Sequence, residues 1–123
     1  MSEPLLEITQ QFSFDAAHYL GASPADSNRR MHGHSFYAEV TLRGGPDPVF
    51  GWVRDFAEIN AALKLVHEIV DHRLLNELPE IGVPTLENLA RFIYREAKQR
   101  LPEVYRVRLS RPSLGQSCSY EEN

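Results

Sequence analysis

Two stretches near the start of the chain carry apolar residues at every second position, and both precede any helical period. From Leu5 to Phe14, Leu6, Ile8, Gln10, Phe12 and Phe14 share one phase, and Glu7, Thr9, Gln11 and Ser13 share the other. From His34 to Leu42, Phe36, Ala38, Val40 and Leu42 oppose Tyr37, Glu39 and Thr41. A period of two is that of a strand with one buried face. Consecutive strands usually pair, so these two are expected to run antiparallel. Between them Gly21–Arg30, rich in Ser, Asp and Asn, reads as a loop, and Gly44-Gly45-Pro46-Asp47-Pro48 reads as a turn.

The period then changes. Over Val53–Val70, Phe56, Ile59, Leu63, Val66 and Val70 recur at three- and four-residue intervals, the stripe of an amphipathic helix. Asp55 is placed as its N-cap, with Glu58 at the spacing of a capping box. Thr85 caps a second helix whose stripe is Leu86, Leu89, Ala90, Ile93 and Ala97, and Pro102 ends it. Val104–Arg111 alternates as a third strand stopped by Pro112. Gly115-Gln116-Ser117 turns the chain into a short last strand, Ser119–Glu121. The expected fold is α+β, a four-stranded antiparallel sheet with two helices on one face in the order β-β-α-α-β-β. At 123 residues the chain is expected to form one domain over 1–123, long enough to bury roughly 65% of its unfolded surface. A small sheet leaves two open edges, and closure by another subunit is one remedy.

Histidines cluster around the first two strands. His32 and His34 flank Gly33, and residues two apart on a strand point to one face. Such a pair is either half of a metal clamp or an ordinary solvent-facing alternation. With His18 at the end of the neighbouring strand it would offer three neutral imidazole nitrogens and an open fourth position, the pattern of a catalytic zinc site. Asp71-His72 closes the first helix. A carboxylate bonded to an imidazole fixes its tautomer and raises its basicity, whereas a histidine at a helix C-terminus can simply answer the helix dipole. His67, inside the helix, is expected to be packed or exposed rather than a ligand.

A net charge of −4 without a basic run argues against nucleic acid as a partner. The single cysteine, Cys118, excludes an internal disulfide and fits a reducing compartment. Met1–Thr9 lacks the basic and apolar regions of a signal peptide, and no apolar run approaches a membrane span of about 20 residues. A cytoplasmic protein with no membrane partner is expected.

Five blocks together resemble, in order and spacing, the 6-pyruvoyl-tetrahydropterin synthase / 6-carboxytetrahydropterin synthase family. They are Phe12-Ser13-Phe14-Asp15-Ala16-Ala17-His18, Met31-His32-Gly33-His34-Ser35-Phe36, Gly51-Trp52-Val53-Arg54-Asp55-Phe56, Asp71-His72-Arg73-Leu74-Leu75-Asn76 and Pro84-Thr85-Leu86-Glu87-Asn88-Leu89. The resemblance implies the tunnelling fold, or T-fold, in which three subunits close a barrel and two trimers commonly stack, with sites at subunit interfaces. It implies Zn2+ on His18, His32 and His34, substrate oxygens at the open position, and Asp71 and His72 as a proton relay. In the family that relay works with a cysteine, and the reaction eliminates triphosphate from dihydroneopterin triphosphate.

The chain departs from the family at two places. The relay cysteine stands four residues before the His-Gly-His motif, where this chain has Asn28. An amide is not a general base, though it can orient a substrate or a water. Ser27 is a poorer base still, and Cys118 could take the role only if the tail folded back over the metal. At the end of the third strand the family places a glutamate that anchors the pterin. Keeping Val107 and Leu109 in register puts Arg111 there, whereas counting back from Tyr120 puts Pro112 there. Arginine can only donate, so it favours a carboxylate, phosphate or carbonyl. Glu87 is a further candidate for the pocket. Three functions follow as expectations: a zinc-dependent lyase/cyclase with an altered small-molecule substrate, a genuine pterin synthase, or a non-catalytic zinc-containing binding protein.

Overall fold

The computed structural model describes residues 5–122. Met1–Pro4, on which part of the signal-peptide reading rests, and Asn123 lie outside the described residues. The sheet has the order β1-β2-β3-β4, formed by Leu6–His18, His32–Gly44, Val104–Arg111 and Gln116–Glu121, and every neighbouring pair is antiparallel. Between β1 and β2 the expected loop contains one helical turn, α1, Asp26–Arg29. Helices α2, Phe56–Val70, and α3, Leu86–Arg100, cover one face.

β1 does not stop at Phe14. It continues through Ala16 to His18, because the alternation of buried positions persists there with a small residue standing where a large one is expected. β2 likewise begins at His32. The extra rungs pair His18 with His32 and Ala16 with His34. The continuation sets the histidines on regular strand geometry rather than on a loop.

α2 starts at Phe56, and Asp55 caps it by accepting from the Ala57 N–H. Glu58 does not complete a capping box; its carboxylate pairs with Arg54 at 2.8 Å. Thr85 caps α3 through the Asn88 N–H at 3.1 Å. The expected turn at Gly115–Ser117 moves forward. Pro112–Leu114 form a 3-10 turn, Gly115 takes φ 66 and ψ 28, and Gln116 already belongs to β4. A left-handed residue at that exit costs glycine least.

The core lies between the sheet and the two long helices. Phe36, Val40, Leu42, Val107 and Leu109 are buried against Ile59, Leu63, Val66, Leu89 and Ile93. Each such side chain contributes roughly 1.5–3 kcal/mol when fully buried. The opposite face carries cross-strand ion pairs, Arg43 with Glu7, Arg106 with Glu7, and Arg108 with Glu39. It is therefore polar, and the helices have no counterpart on it among the described residues.

Candidate metal centre and proton relay

The three histidines predicted to share a metal converge at the open end of β1 and β2. One ring nitrogen from each of His18, His32 and His34 lies within 4.8 Å of the others. His18 is 2% exposed. Its Nδ1–H donates to the Pro84 carbonyl at 2.7 Å, and the His32 Nδ1–H donates to the Arg30 carbonyl at 2.7 Å. A carbonyl oxygen can only accept, so Nδ1 carries the proton in each neutral ring and Nε2 keeps its lone pair.

Those two Nε2 atoms stand 3.1 Å apart. With neither protonated, the contact is two lone pairs facing each other, which a cation between them would relieve. A tetrahedral zinc at 2.0–2.1 Å holds its nitrogens about 3.3 Å apart, so the spacing fits. His34 completes the set: its Nε2 is buried and has no hydrogen-bond partner. A buried polar atom without a partner costs about 1–3 kcal/mol unless something meets it. The His34 imidazole is held down to about 4 by burial, then by the charge of Arg111 and by its neighbour histidines. Burial also lowers His18, against the upward pull of the Pro84 carbonyl. Burial thus favours His18 and His34 as neutral donors, the state a metal requires.

The second cluster is latched to the edge of β1. The Asp15 N–H donates to Asp71 Oδ1 at 3.0 Å, and the His72 N–H donates to the Asp15 carbonyl at 2.7 Å. The Ala17 N–H donates to the Arg73 carbonyl, and the Asn76 amide bonds both backbone groups of Tyr19 at 3.0 and 2.9 Å. These bonds hold His72 at φ 57, an uncommon backbone for a non-glycine residue. Such outliers cluster at functional sites.

His72 Nδ1 donates to Asp71 Oδ2 at 2.8 Å, while the ring is 80% exposed. The bond to Asp71 raises the His72 pKa above its ordinary value, and the Asp15 N–H, then His72, holds Asp71 below its own. The pairing therefore exists as more than sequence adjacency. His67, expected to be packed or exposed rather than a ligand, comes within 3.7 Å of the same Asp71 carboxylate.

A cavity of about 800 Å³ lies against this end of β1 and β2. Its wall includes His34 and Ser35 from β2, Asp15 from β1, His72, and Ser113 from the turn after β3. Asp15 was not singled out in the sequence. Its place inside the Phe12–His18 block was the signal that could have found it.

Asn28 lies in α1, where its side-chain amide nitrogen donates to Ser23 Oγ at 3.1 Å and its backbone carbonyl accepts from the Leu20 N–H. Arg111 ends β3 in the phase of Val107 and Leu109, and Pro112 belongs to the following turn. Its charge acts on both His18 and His34. Glu87 lies near enough to act on Arg111 and Cys118. Cys118 pairs with Leu109 across β3 and β4. Burial, then Glu87, raises its pKa, so the thiol keeps its proton and makes a poor base.

A helix-backed antiparallel sheet whose first strands carry a three-histidine potential metal site defines a T-fold protein of the tetrahydropterin synthase kind. A family model described as 6-pyruvoyl tetrahydropterin synthase matches residues 7–123, and the chain belongs to that family. It is 34% identical over 97 residues to the 6-carboxy-5,6,7,8-tetrahydropterin synthase of Synechocystis sp., covering 75% of this chain and 74% of that one. It is 32% identical over 119 residues to the 6-pyruvoyl tetrahydrobiopterin synthase of Poecilia reticulata, covering 83% and 81%.

Among solved structures, the Caenorhabditis elegans 6-pyruvoyl tetrahydropterin synthase superposes with a TM-score of 0.85 at 28% identity, over 100% of this chain and 99% of that one. The Plasmodium vivax 6-pyruvoyltetrahydropterin synthase shares the fold with a TM-score of 0.75 at 16% identity, over 98% and 99%. Family and site together support a general catalytic role of this kind. Among the described residues no helix is long and apolar enough to cross a membrane.

Proposed function

We propose that the chain is a zinc-dependent lyase/cyclase of the 6-pyruvoyl/6-carboxytetrahydropterin synthase type, acting on a small-molecule substrate that departs from the pterin. One observation carries it: His18, His32 and His34 bring three imidazole nitrogens within 4.8 Å of one another, and His72, an imidazole backed by a carboxylate, is held at the same end of β1. Zinc on His18, His32 and His34 would supply Lewis-acid polarisation of a hydroxyl or carbonyl oxygen. The chain's own groups do the rest. With Nδ1–H committed to Asp71, His72 presents Nε2 as the atom that accepts a proton from an adjacent carbon and returns it. Asp71, fixed by the Asp15 N–H, holds the tautomer and steadies the imidazolium.

Asn28 is assigned an orienting role only, since its amide nitrogen is engaged with Ser23. The relay then consists of Asp71 and His72 without a third base. Glu87 and Arg111 are assigned to substrate binding. The edge of β4 and the part of the β1 edge before Asp15 suit closure by copies of the chain, as a homotrimer or homohexamer with sites at subunit interfaces. A cytoplasmic location is assigned with it. A solution mass that is a multiple of three protomers is the expected result.

The test of the chemistry is hydrogen exchange into hydroxypyruvate, a carboxylate-bearing α-hydroxyketone, in deuterated water with zinc-loaded protein. Exchange above the buffer rate, lost in His72→Ala with zinc retained, is expected. Absence of exchange in the wild-type chain would leave the non-catalytic binding protein. Triphosphate release from dihydroneopterin triphosphate that depends on His72 would instead establish the genuine pterin synthase.

A further inference from the structure

On the sheet face away from the helices, β1 and β2 are tied together through their side chains. The Tyr37 hydroxyl bonds Gln11, Thr9 bonds Thr41 at 2.8 Å, and Arg43 bonds Glu7 at 2.8 Å. The pattern stops near the end of the pair. There Ala17 faces Gly33, and the rung carries nothing larger than a methyl group. A Cβ added at Gly33 would meet only the Ala16 carbonyl, at 3.6 Å, so the backbone does not require glycine at this rung. What glycine does there is keep the floor low. The cavity of about 800 Å³ lies over that floor, walled by His72–Leu74 on one side and by Ser113 and Leu114 on the other.

The next rung of the same phase, Asp15 opposite Ser35, borders the cavity, and both residues are exposed. The Ser35 hydroxyl donates to Asp15 Oδ1 at 2.6 Å, the length of a charge-assisted bond. That bond uses the only proton the hydroxyl has. Ser35 Oγ is left with lone pairs, and Asp15 Oδ2 receives no hydrogen bond from the described residues. Two acceptors therefore stand side by side at the cavity. Their place is fixed, because the Asp15 carbonyl and N–H are the groups that bond the His72 N–H at 2.7 Å and Asp71 Oδ1 at 3.0 Å. The same bonds set the acceptor pair against His72, whose Nδ1 is committed to Asp71.

We infer that Asp15 and Ser35 are a specificity-determining pair of this cavity and that they hold a ligand by two adjacent hydroxyl groups, a vicinal diol. One hydroxyl donates to Asp15 Oδ2 and its neighbour donates to Ser35 Oγ. Each hydroxyl keeps its own lone pairs for other donors in the cavity, which an acceptor-only ligand could not match with the pair. A carboxylate or phosphate would face two acceptors and be repelled. An ammonium would share the cavity with His72 and Arg73, both able to carry positive charge. Leu74 and Leu114 give the carbon part of the ligand an apolar wall. The inference rests on the lyase reading for what His72 does to the bound ligand, but not for the binding.

The test is a saturation-transfer NMR titration of the full-length chain, zinc-loaded and again after dialysis against a chelator. Three probes share one ring and differ in their polar groups: phenylethanediol, phenylethanol and phenethylamine. The wild-type chain is expected to bind the diol about tenfold more tightly than the single alcohol, the size of one charge-assisted bond, in both preparations. Asp15→Ala and Ser35→Ala should each abolish that preference, with folding checked by circular dichroism. The wild-type preference and its survival of chelation decide the matter even if a variant fails to fold. Equal binding of diol and alcohol, tighter binding of the amine, no binding of any probe, or a preference unchanged in folded Asp15→Ala would each overturn the inference. A preference that disappears with the metal would overturn it too, by moving the diol to the histidine cluster. Absence of His72-dependent hydrogen exchange with the diol preference intact would fail the lyase reading alone.

Discussion

His18 and His32 are direct partners across β1 and β2, and their Nε2 atoms stand 3.1 Å apart with both Nδ1 protons donated to backbone carbonyls. Two lone pairs held that close repel unless a cation sits between them. Zinc should therefore stabilise the fold and a chelator should destabilise it. Free zinc at a hundredfold excess over its Kd is expected to add about 2.7 kcal/mol. Thermal melts with and without chelator measure it.

The metal-free chain should lose stability on acidification. The His34 pKa is lowered from its ordinary value of 6.5 to about 4 in the folded state. Between those values the unfolded chain binds the proton and the folded chain does not, so stability rises with pH across that window. Denaturant midpoints measured between pH 4 and 7 on chelator-treated protein should fall as pH falls, and His34→Gln should flatten the slope.

Asp71→Asn should bring the His72 pKa back down toward its ordinary 6.5, because the bond from Nδ1 to the carboxylate is its largest cause of elevation. The elevated value also means that His72 contributes stability below its unfolded pKa, lost as pH rises through the folded one. An NMR titration of the ring protons in both proteins reads the shift. An unchanged His72 pKa in the variant would remove Asp71 as its partner.

Phe36→Ala should cost about 3–5 kcal/mol, the usual range for a buried aromatic truncated in a core. Phe36 stacks on Phe14 at 5.0 Å and meets the His34 ring edge-on at 5.8 Å. Zinc affinity should weaken along with stability, because the ring supports the ligand. Thr85→Ala should cost about 1 kcal/mol through its lost cap, measured by chemical denaturation.

Alternation and stripe spacing were enough to place both long helices, the antiparallel first pair and the helix-covered face, because each element has one buried face with a regular period. The ends were less visible. Ala16 and Ala17 hide the continuation of β1, since small residues weaken a periodic signal even where they are buried or half-buried. Glu58 sits at capping-box spacing but finds Arg54 first, a competition between neighbours that spacing does not show.

The histidine triplet was legible as a strand pair plus a guessed third member, and the pairing of His18 with His32 supplies the missing link. What orients the rings was not legible. The Pro84 and Arg30 carbonyls are backbone groups, and any residue type could supply them. The same holds for the Asp15 N–H that fixes Asp71. The unpaired Arg111 Nε is a property of burial rather than of sequence.

The most direct measurement is elemental analysis of the purified full-length chain beside His34→Ala, with folding of both verified by circular dichroism. About one zinc per chain in the wild type, falling well below that in the folded variant, is expected of a three-histidine site. A folded wild-type chain that takes up no zinc when it is supplied, or a folded His34→Ala that holds it undiminished, would contradict the assignment of His18, His32 and His34 as the metal centre.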